Sequence, residues 1–461
     1  MSEAERTFRG KNGTPVEADG YENIDPAVPL PEEVAKEIAE MKVSDGNFRL
    51  QRNRGGNQRG CIAGRVIKKG VQCVQLRRAR SLYGASPSNN FGPKGCLMKT
   101  QTCTITIPDP MGQRLNWYKP PLSVLIIKKI YDDHVSRPFK DLVKYLVSEK
   151  QMIVYVEAKT LDEPSISADR DFLDILKSVT LFQEDKDNLT DKIDLVVCLG
   201  GDGTLLYTSS LFQLSCPPVL SFHLGSLGFL TPFQFENFRE EVDQVIEGNT
   251  PLILRSRLKA VICKAGSACL MTPHVKDIDH STAKTHILTL NEVVIDRGPS
   301  PYLCNVDLYV EKKLVTSVQG DGLIISTPTG STAYAAAAGA SMIHPQVPAI
   351  VITPVCPHSL SFRPIVVPAG VEVMVMISPD ARNTAWASFD GRSRQELQQG
   401  DTLRITTSTY PVPCICTKDP IGDWFDSLGK CLHWNVRKQQ KHMLPQSSSS
   451  ASLDSLDDRD L

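Results

Sequence analysis

Apolar residues follow three rhythms along this chain, and each predicts a different kind of structure. Between about 120 and 255, short apolar runs alternate with stretches of helical spacing. Ser123–Lys128 (Ser-Val-Leu-Ile-Ile-Lys) reads as a buried strand. Over 138–149 the apolar positions Phe139, Leu142, Val143, Leu146 and Val147 share one helical face. Segments 152–156, 193–199 and 219–222 read as further strands. Such alternation predicts a parallel sheet covered on both faces, with ligands bound at the carboxyl ends of its strands.

From about 255 to 410 the rhythm changes to strands alone. Runs rich in Val, Ile and Thr at 288–295, 305–310, 322–326, 349–353, 371–377, 384–389 and 402–406 are separated by turn residues, and Asp390-Gly391 reads as a hairpin turn. The fold class expected is therefore α/β plus all-β: a parallel-sheet α/β domain over 106–255, then a β-sandwich-like domain over 256–410. Residues 264–285 are polar and irregular and read as a surface loop. After Asp419 the spacing is helical as far as Lys441.

The remaining territory has no rhythm. Residues 1–46 hold eleven acids and five Lys or Arg, whereas 47–80 hold ten Lys or Arg and no acid. Such segregated blocks solvate or tether more readily than they pack, so 1–105 reads as a disordered regulatory tail. Within it, Arg77-Arg78-Ala79-Arg80-Ser81 suits a basophilic protein kinase, which makes Ser81 a candidate phosphorylation site. A solvated tail with a chance serine is the bland alternative. The Ser- and Asp-rich stretch 441–461 reads as a second disordered tail.

Composition narrows the classes. Hydrophobic residues make up 41% and charged residues 22%, which fits a globular protein with a sizeable core. The 51 Lys+Arg balance 52 Asp+Glu, so binding of nucleic acid by bulk charge is not expected. No run approaches the roughly 18 apolar residues that a spanning helix needs. Thirteen cysteines without a CxxC pair read as free thiols of a reducing compartment. The N-terminus has neither a signal-peptide core nor a basic, acid-poor presequence, so the cytosol is the expected location.

The candidate chemistry lies where strands end in glycine. Gly200-Gly201-Asp202-Gly203-Thr204 follows the 193–199 run and precedes a helix expected over 204–212. Glycines allow a ligand close to the backbone, and the helix N-terminus offers free N–H groups to phosphate. Asp202 could accept a proton from a hydroxyl nucleophile, hold a metal ion, or merely cap the helix. A Walker loop would need a following lysine, and a dinucleotide fingerprint a glycine where Leu206 stands. A second element is Gly320-Asp321-Gly322, followed by Thr327-Pro-Thr-Gly-Ser-Thr-Ala-Tyr334 and an Ala-rich stretch. It reads as a ligand-lining segment or as a polar turn before a tightly packed helix, and Tyr334 could stack on a ring. The third is Asn291-Glu292, two polar residues inside an apolar run, costly unless satisfied by solvent or by a polar ligand such as a ribose diol. His223, His344 and His358 show no metal-ligand spacing.

Taken together, GGDGT at 200–204, Asn-Glu at 291–292 and GDG followed by TPTGSTAYA at 320–335 resemble the NAD kinase family, over about 120–437. Cys356–Pro364 and Leu432–Arg437 resemble its animal cytosolic branch. The resemblance implies transfer of a phosphoryl group from ATP to the 2′-hydroxyl of the adenosine ribose of NAD⁺. It implies Asp202 as general base, with Gly200, Gly201 and Thr204 in the phosphate loop. NAD contacts are implied for Gly203, Asn291, Glu292, Asp321, Thr332, Ala333 and Tyr334. It further implies a site between the two domains, a segment at 411–440 returning to the first domain, a homo-oligomer expected to be a tetramer, and a divalent cation, Mg²⁺ first with Mn²⁺ or Zn²⁺ as alternatives. The metal ligands stay unassigned. Two competitors are a lipid kinase with a similar GGDGT loop, which would not need the other two elements, and a non-catalytic NAD sensor, which would not need Asp202.

Overall fold

The computed structural model describes residues 90–97, 113–266 and 286–436, apart from 185, 226 and 435. The basic run with Ser81, most of the 264–285 loop and the 441–461 tail lie outside the described residues. In the first domain the strands Ser123–Lys128 and Leu195–Gly200 are buried at every position, because the sheet is covered on both faces. Alternate residues serve opposite cores. Val124, Ile126, Leu195, Val197 and Leu199 pack on Phe139, Leu142 and Val143 of the helix Asp133–Lys144. Leu125, Ile127, Val196 and Cys198 pack on Leu205 and Phe212, at the helix Asp202–Leu211 and its C-terminal cap. The first of these helices begins five residues before the 138–149 expected from periodicity. Asp132 caps it through the amide of His134, Pro138 is accommodated inside it, and a π-turn, Tyr145–Glu149, extends it.

The sheet runs Leu252–Arg255, Val412–Ile415, Val219–His223, Leu195–Gly200, Ser123–Lys128, Ile153–Glu157, Thr180–Phe182. All neighbouring pairs are parallel except that of Leu252–Arg255 with Val412–Ile415. The strand order reverses between Ser123–Lys128 and Leu195–Gly200. That reversal creates a crevice at their carboxyl ends, where open α/β sheets bind ligands.

The second domain is two antiparallel six-stranded sheets. One runs His286–Thr289, Leu258–Cys263, Thr402–Thr407, Val373–Ile377, Cys304–Val310, Lys313–Gly320. The other runs Ile365–Pro368, Ala349–Val355, Gly322–Ser326, Glu292–Asp296, Ala385–Phe389, Arg392–Leu397. Their apolar faces share one core, including Val306, Leu308, Val375 and Leu403 from the first and Val293, Ile295, Leu323 and Ile350 from the second. Four strands of this domain are not revealed by the apolar rhythm: Lys313–Gly320, Ile365–Pro368 and Arg392–Leu397 are edge strands, where polar and exposed residues are tolerated, while Leu258–Cys263, broken by Lys259, lies inside the first sheet.

The chain leaves the first domain after Arg255 and returns at Val412, whose strand inserts between Leu252–Arg255 and Val219–His223. The helix Pro420–Cys431 follows, capped by Asp419, and ends well before the expected Lys441. Residues 90–97, part of the stretch read as a tail, are folded. They form the strands Asn90–Phe91 and Gly95–Leu97, which join Leu115–Trp117 in a small sheet, with Phe91 buried and Lys94 paired to Asp194 at 2.9 Å. Among the described cysteines one departs from expectation: Cys263 is disulfide-bonded, while Cys96, Cys198, Cys216, Cys304, Cys356, Cys414, Cys416 and Cys431 are free.

Candidate active site

The glycine loop lies at the sheet's topological switch point. Gly200 has φ +152°, and a Cβ there would meet the Thr204 hydroxyl and lie 3.2 Å from Lys129 Cβ. Gly201 is the N-cap of the helix Asp202–Leu211, with no side-chain cap. The Asp202 carboxylate therefore does not cap its own helix. It accepts hydrogen bonds from the amides of Phe229, at 3.0 Å, and Leu230, at 2.9 Å, in the loop after Val219–His223. A side chain at Gly228 would strike that carboxylate, so this loop closes on Asp202 at van der Waals contact. Burial raises the Asp202 pKa, opposed by the two amides and by the charge of Arg255. Around Gly201 and Gly203 the space is open, as close approach of a phosphate requires.

Asn291 and Glu292 sit where the chain changes sheets. The apolar run 288–295, read as one strand, is two: His286–Thr289 in the first sheet and Glu292–Asp296 in the second, joined through Leu290 and Asn291. Both polar residues are buried, and Asn291 Oδ1 and Glu292 Oε2 have no hydrogen-bond partner. Burial, and secondly the charge of Asp390, push the Glu292 pKa up to about 8. The Thr327–Tyr334 segment is stitched to this crossover. Thr327 donates from its amide to Asn291 O at 2.9 Å and from its hydroxyl to Leu290 O at 2.6 Å. Gly330 lies against the Asn291 carbonyl, where no side chain would fit.

The second sheet presents one face to this region. Glu292 is paired with Ser326 across the ladder, and Thr353 opposes Ile324, two residues from Ser326 and on the same face. The hydroxyls of Ser326 and Thr353 are buried without partners, like Glu292 Oε2. Tyr334 is half exposed, and its pKa is raised by partial burial and by the charges of Asp296, Cys356, Asp321 and Glu292, which places these groups in one neighbourhood. Asp321 pairs with Arg297 at 2.8 Å. Thr332 donates to Thr329 O at 3.0 Å and the Ala333 amide to Gly330 O at 3.0 Å, closing the turn that carries Tyr334.

Arg255 connects the two halves. It is buried, its Nη1 lies 3.5 Å from the Thr329 hydroxyl, its Nε has no partner, and its charge acts on Asp202. A chain of neighbours thus runs from Asp202 through Arg255 and Thr329–Gly330 to Asn291. Arg255, Ser326, Thr353 and Asp390 are absent from the residues that sequence reasoning selects. For Arg255 no local signal exists: it follows the apolar Leu252–Leu254 but is followed at once by Ser256 and Arg257, so it looks like the start of a polar connection.

A cleft of about 500 Å³ opens at the carboxyl end of Val219–His223, lined among others by His223, Gly225, Leu227, Lys418 and Lys430. His223 Nδ1 lies 3.1 Å from Thr231 O, and His344 Nε2 lies 3.4 Å from Pro420 O. Among the described residues no group of three His, Cys, Asp or Glu is placed to hold a metal ion.

The ATP-NAD kinase N-terminal domain matches residues 124–250 and the ATP-NAD kinase C-terminal domain matches residues 290–417. NAD kinase 2, chloroplastic, of Arabidopsis thaliana is 38% identical over 442 residues, covering 92% of this chain and 42% of that protein. The NAD(+) kinase of Saccharomyces cerevisiae is 40% identical over 341 residues, covering 70% of this chain and 62% of that protein. This chain therefore spans less than two thirds of either relative. The crystal structure of yeast NADH kinase complexed with NADH superposes with a TM-score of 0.64 at 28% identity, over 76% of this chain and 96% of that one.

Proposed function

The chain belongs to the ATP-NAD kinase family, and on that premise we propose that it phosphorylates the 2′-hydroxyl of the adenosine ribose of NAD⁺ with ATP, giving NADP⁺ and ADP. The observation that carries this reading is the pair of buried, partnerless oxygens on Asn291 and Glu292, linked by neighbours to Asp202 at the switch-point loop. Buried polar atoms without partners are costly, and the two hydroxyls of a ribose diol can donate to both.

In this reading Asn291 and Glu292 hold the adenosine ribose, and Asp202 takes the proton of the attacking hydroxyl. Its two amide bonds fix the carboxylate while each oxygen keeps a further lone pair. Burial makes it a stronger proton acceptor than a solvated carboxylate. Gly200, Gly201 and Thr204, with their neighbour Gly203, which also meets NAD⁺, bring the phosphates to the N-terminus of the helix Asp202–Leu211. Asp321, Thr332, Ala333 and Tyr334 line the ends of the dinucleotide, with Tyr334 exposed enough to stack on a ring. A divalent cation, Mg²⁺ first, would neutralise charge on the triphosphate. Mg²⁺ is commonly held by substrate phosphates, water and one or two carboxylates, so no protein cage is required. The same proposal includes a homo-oligomer, expected as a tetramer, a cytosolic location, and modification of Ser81 by a basophilic kinase.

The test is incubation of purified protein with NAD⁺, ATP and Mg²⁺, with NADP⁺ detected by an NADP-specific dehydrogenase. NADP⁺ formation that vanishes in Asp202→Asn supports the reading. Folded protein that binds NAD⁺ without consuming ATP would be a sensor instead. Failure to bind NAD⁺ would reopen the lipid-kinase alternative.

A further inference from the structure

Asp390 begins as a turn residue. It and Gly391 join Ala385–Phe389 to Arg392–Leu397 with φ of 49° and 71°, the left-handed pair of a two-residue hairpin. A turn needs only an Asp or Asn that tolerates this conformation. The carboxylate, however, does not serve its own turn. It accepts hydrogen bonds from three consecutive backbone amides where the chain crosses between sheets: Leu290 at 2.7 Å, Asn291 at 2.8 Å and Glu292 at 3.1 Å. The Asp390 amide in turn donates to Glu292 O at 3.0 Å, so the two residues are bound both ways.

These three amides need an outside acceptor. Leu290 and Asn291 lie between two strands of different sheets, so the chain there joins neither ladder, and all three residues are buried. One anionic group that collects successive N–H donors fixes the backbone that presents them. It fixes with it the directions of the Asn291 and Glu292 side chains.

Resting on the functional reading above, we infer that Asp390 is a positioning residue for NAD: its carboxylate shapes the Leu290–Glu292 crossover and so aims Asn291 and Glu292 at the ribose. Asp390 itself touches no substrate. Removing its charge loosens the grip on NAD and leaves ATP binding alone.

The test uses the full chain and two variants. Asp390→Asn keeps the size and the left-handed preference but removes the charge, and Asp390→Glu keeps the charge and shifts it by one methylene. Amide hydrogen exchange is read without ligands over peptides spanning 288–293 and, as a control, 322–326. Steady-state kinetics are read against NAD⁺ and ATP separately. The expected result for Asp390→Asn is exchange faster by roughly tenfold or more at 290–292 only, with KM for NAD⁺ raised about tenfold and KM for ATP within about twofold. Asp390→Glu is expected to show the same selective pattern at smaller size, and it decides the matter if the Asn variant does not fold. Unchanged exchange at 290–292 overturns the inference. So do equal losses for both substrates with faster exchange everywhere, which would make Asp390 a general structural residue. If the unaltered protein makes no NADP⁺, the functional reading fails, while the exchange measurement still decides whether Asp390 orders the crossover.

Discussion

Arg257 closes the far end of the helix that Asp202 begins. Its guanidinium donates from Nη1 to Ser209 O, at 3.2 Å, and to Phe212 O, and from Nη2 to Leu214 O, at 2.6 Å, all at the C-terminal end of Asp202–Leu211. Its Nε donates to Tyr410 O at 2.7 Å. Arg257 lies where the chain passes from the first domain to the second, and Tyr410 where it comes back. The side chain is fully buried, and a cation at this helix end complements the dipole. One residue thus ties both crossovers to the helix that carries the proposed base.

Arg257→Ala should therefore damage both stability and catalysis. It removes a donor from four carbonyl groups, of which Ser209 O keeps the Phe212 amide, and losses of this kind cost roughly 3–5 kcal/mol. Arg257→Lys should recover only part, because one ammonium cannot span four acceptors as a planar fork does. Urea unfolding measures the stability of both variants, and steady-state kinetics their turnover. An alanine variant within about 1 kcal/mol of the parent would show that the domains do not depend on this clamp.

Asp202→Asn tests the base with a known side effect. The amide keeps one acceptor oxygen, so one of the two amides at Phe229 and Leu230 faces an NH₂ group and loses its partner. A stability cost of about 1–3 kcal/mol follows. Turnover should fall by roughly 10² to 10⁴ while KM for NAD⁺ changes little, since the ribose grip lies elsewhere. Turnover near that of the parent would remove Asp202 from the role of base.

What the sequence reveals and what it hides divide along physical lines. Ser123–Lys128 and Leu195–Gly200 are legible because burial on both faces demands unbroken apolar runs. The Gly200–Thr204 loop is legible because glycines after such a strand have few other uses. Asn291-Glu292 stands out by its polarity, yet the same apolar context hides the break between two sheets, since the backbone acceptor for that break comes from Asp390, about a hundred residues away. Asp390 looks like turn chemistry alone. Ser326 and Thr353 look like ordinary strand residues, and only their place on Glu292's face and their missing partners single them out. Long-range hydrogen bonding leaves no local pattern.

Two glycines should respond to alanine in opposite ways. At Gly330 a Cβ would lie 2.6 Å from the Asn291 carbonyl carbon and 2.8 Å from its Cα, against backbone that cannot swing aside. Gly330→Ala should cost roughly 1–3 kcal/mol and impair NAD⁺ use. At Gly203 no atom lies within 4 Å of the added Cβ, and the position is helical. Gly203→Ala should leave thermal stability unchanged or slightly improved and raise KM for ATP, because the methyl group blocks approach to the helix N-terminus. Thermal unfolding and ATP kinetics on both variants decide this, and a Gly203→Ala enzyme with unchanged ATP kinetics would place the phosphates elsewhere.

Glu292 should make stability fall as pH rises. Its pKa in the folded protein is pushed up to about 8 by burial and by Asp390, whereas the unfolded chain holds an ordinary glutamate. The folded state therefore binds the proton more tightly than the unfolded state. Its stabilising effect is complete below the unfolded pKa and is lost progressively up to about 8. Near neutrality the carboxyl is largely protonated and can donate to a ribose oxygen as well as accept. Glu292→Gln removes this titration and keeps the shape. The stability of the variant relative to the parent, measured without ligand, should rise between about pH 5 and pH 8 and level off above that. Taking the difference cancels the other titrating groups. A difference that stays flat over this range would mean that Glu292 is already ionised in the folded protein, and the ribose would then meet a carboxylate that can only accept.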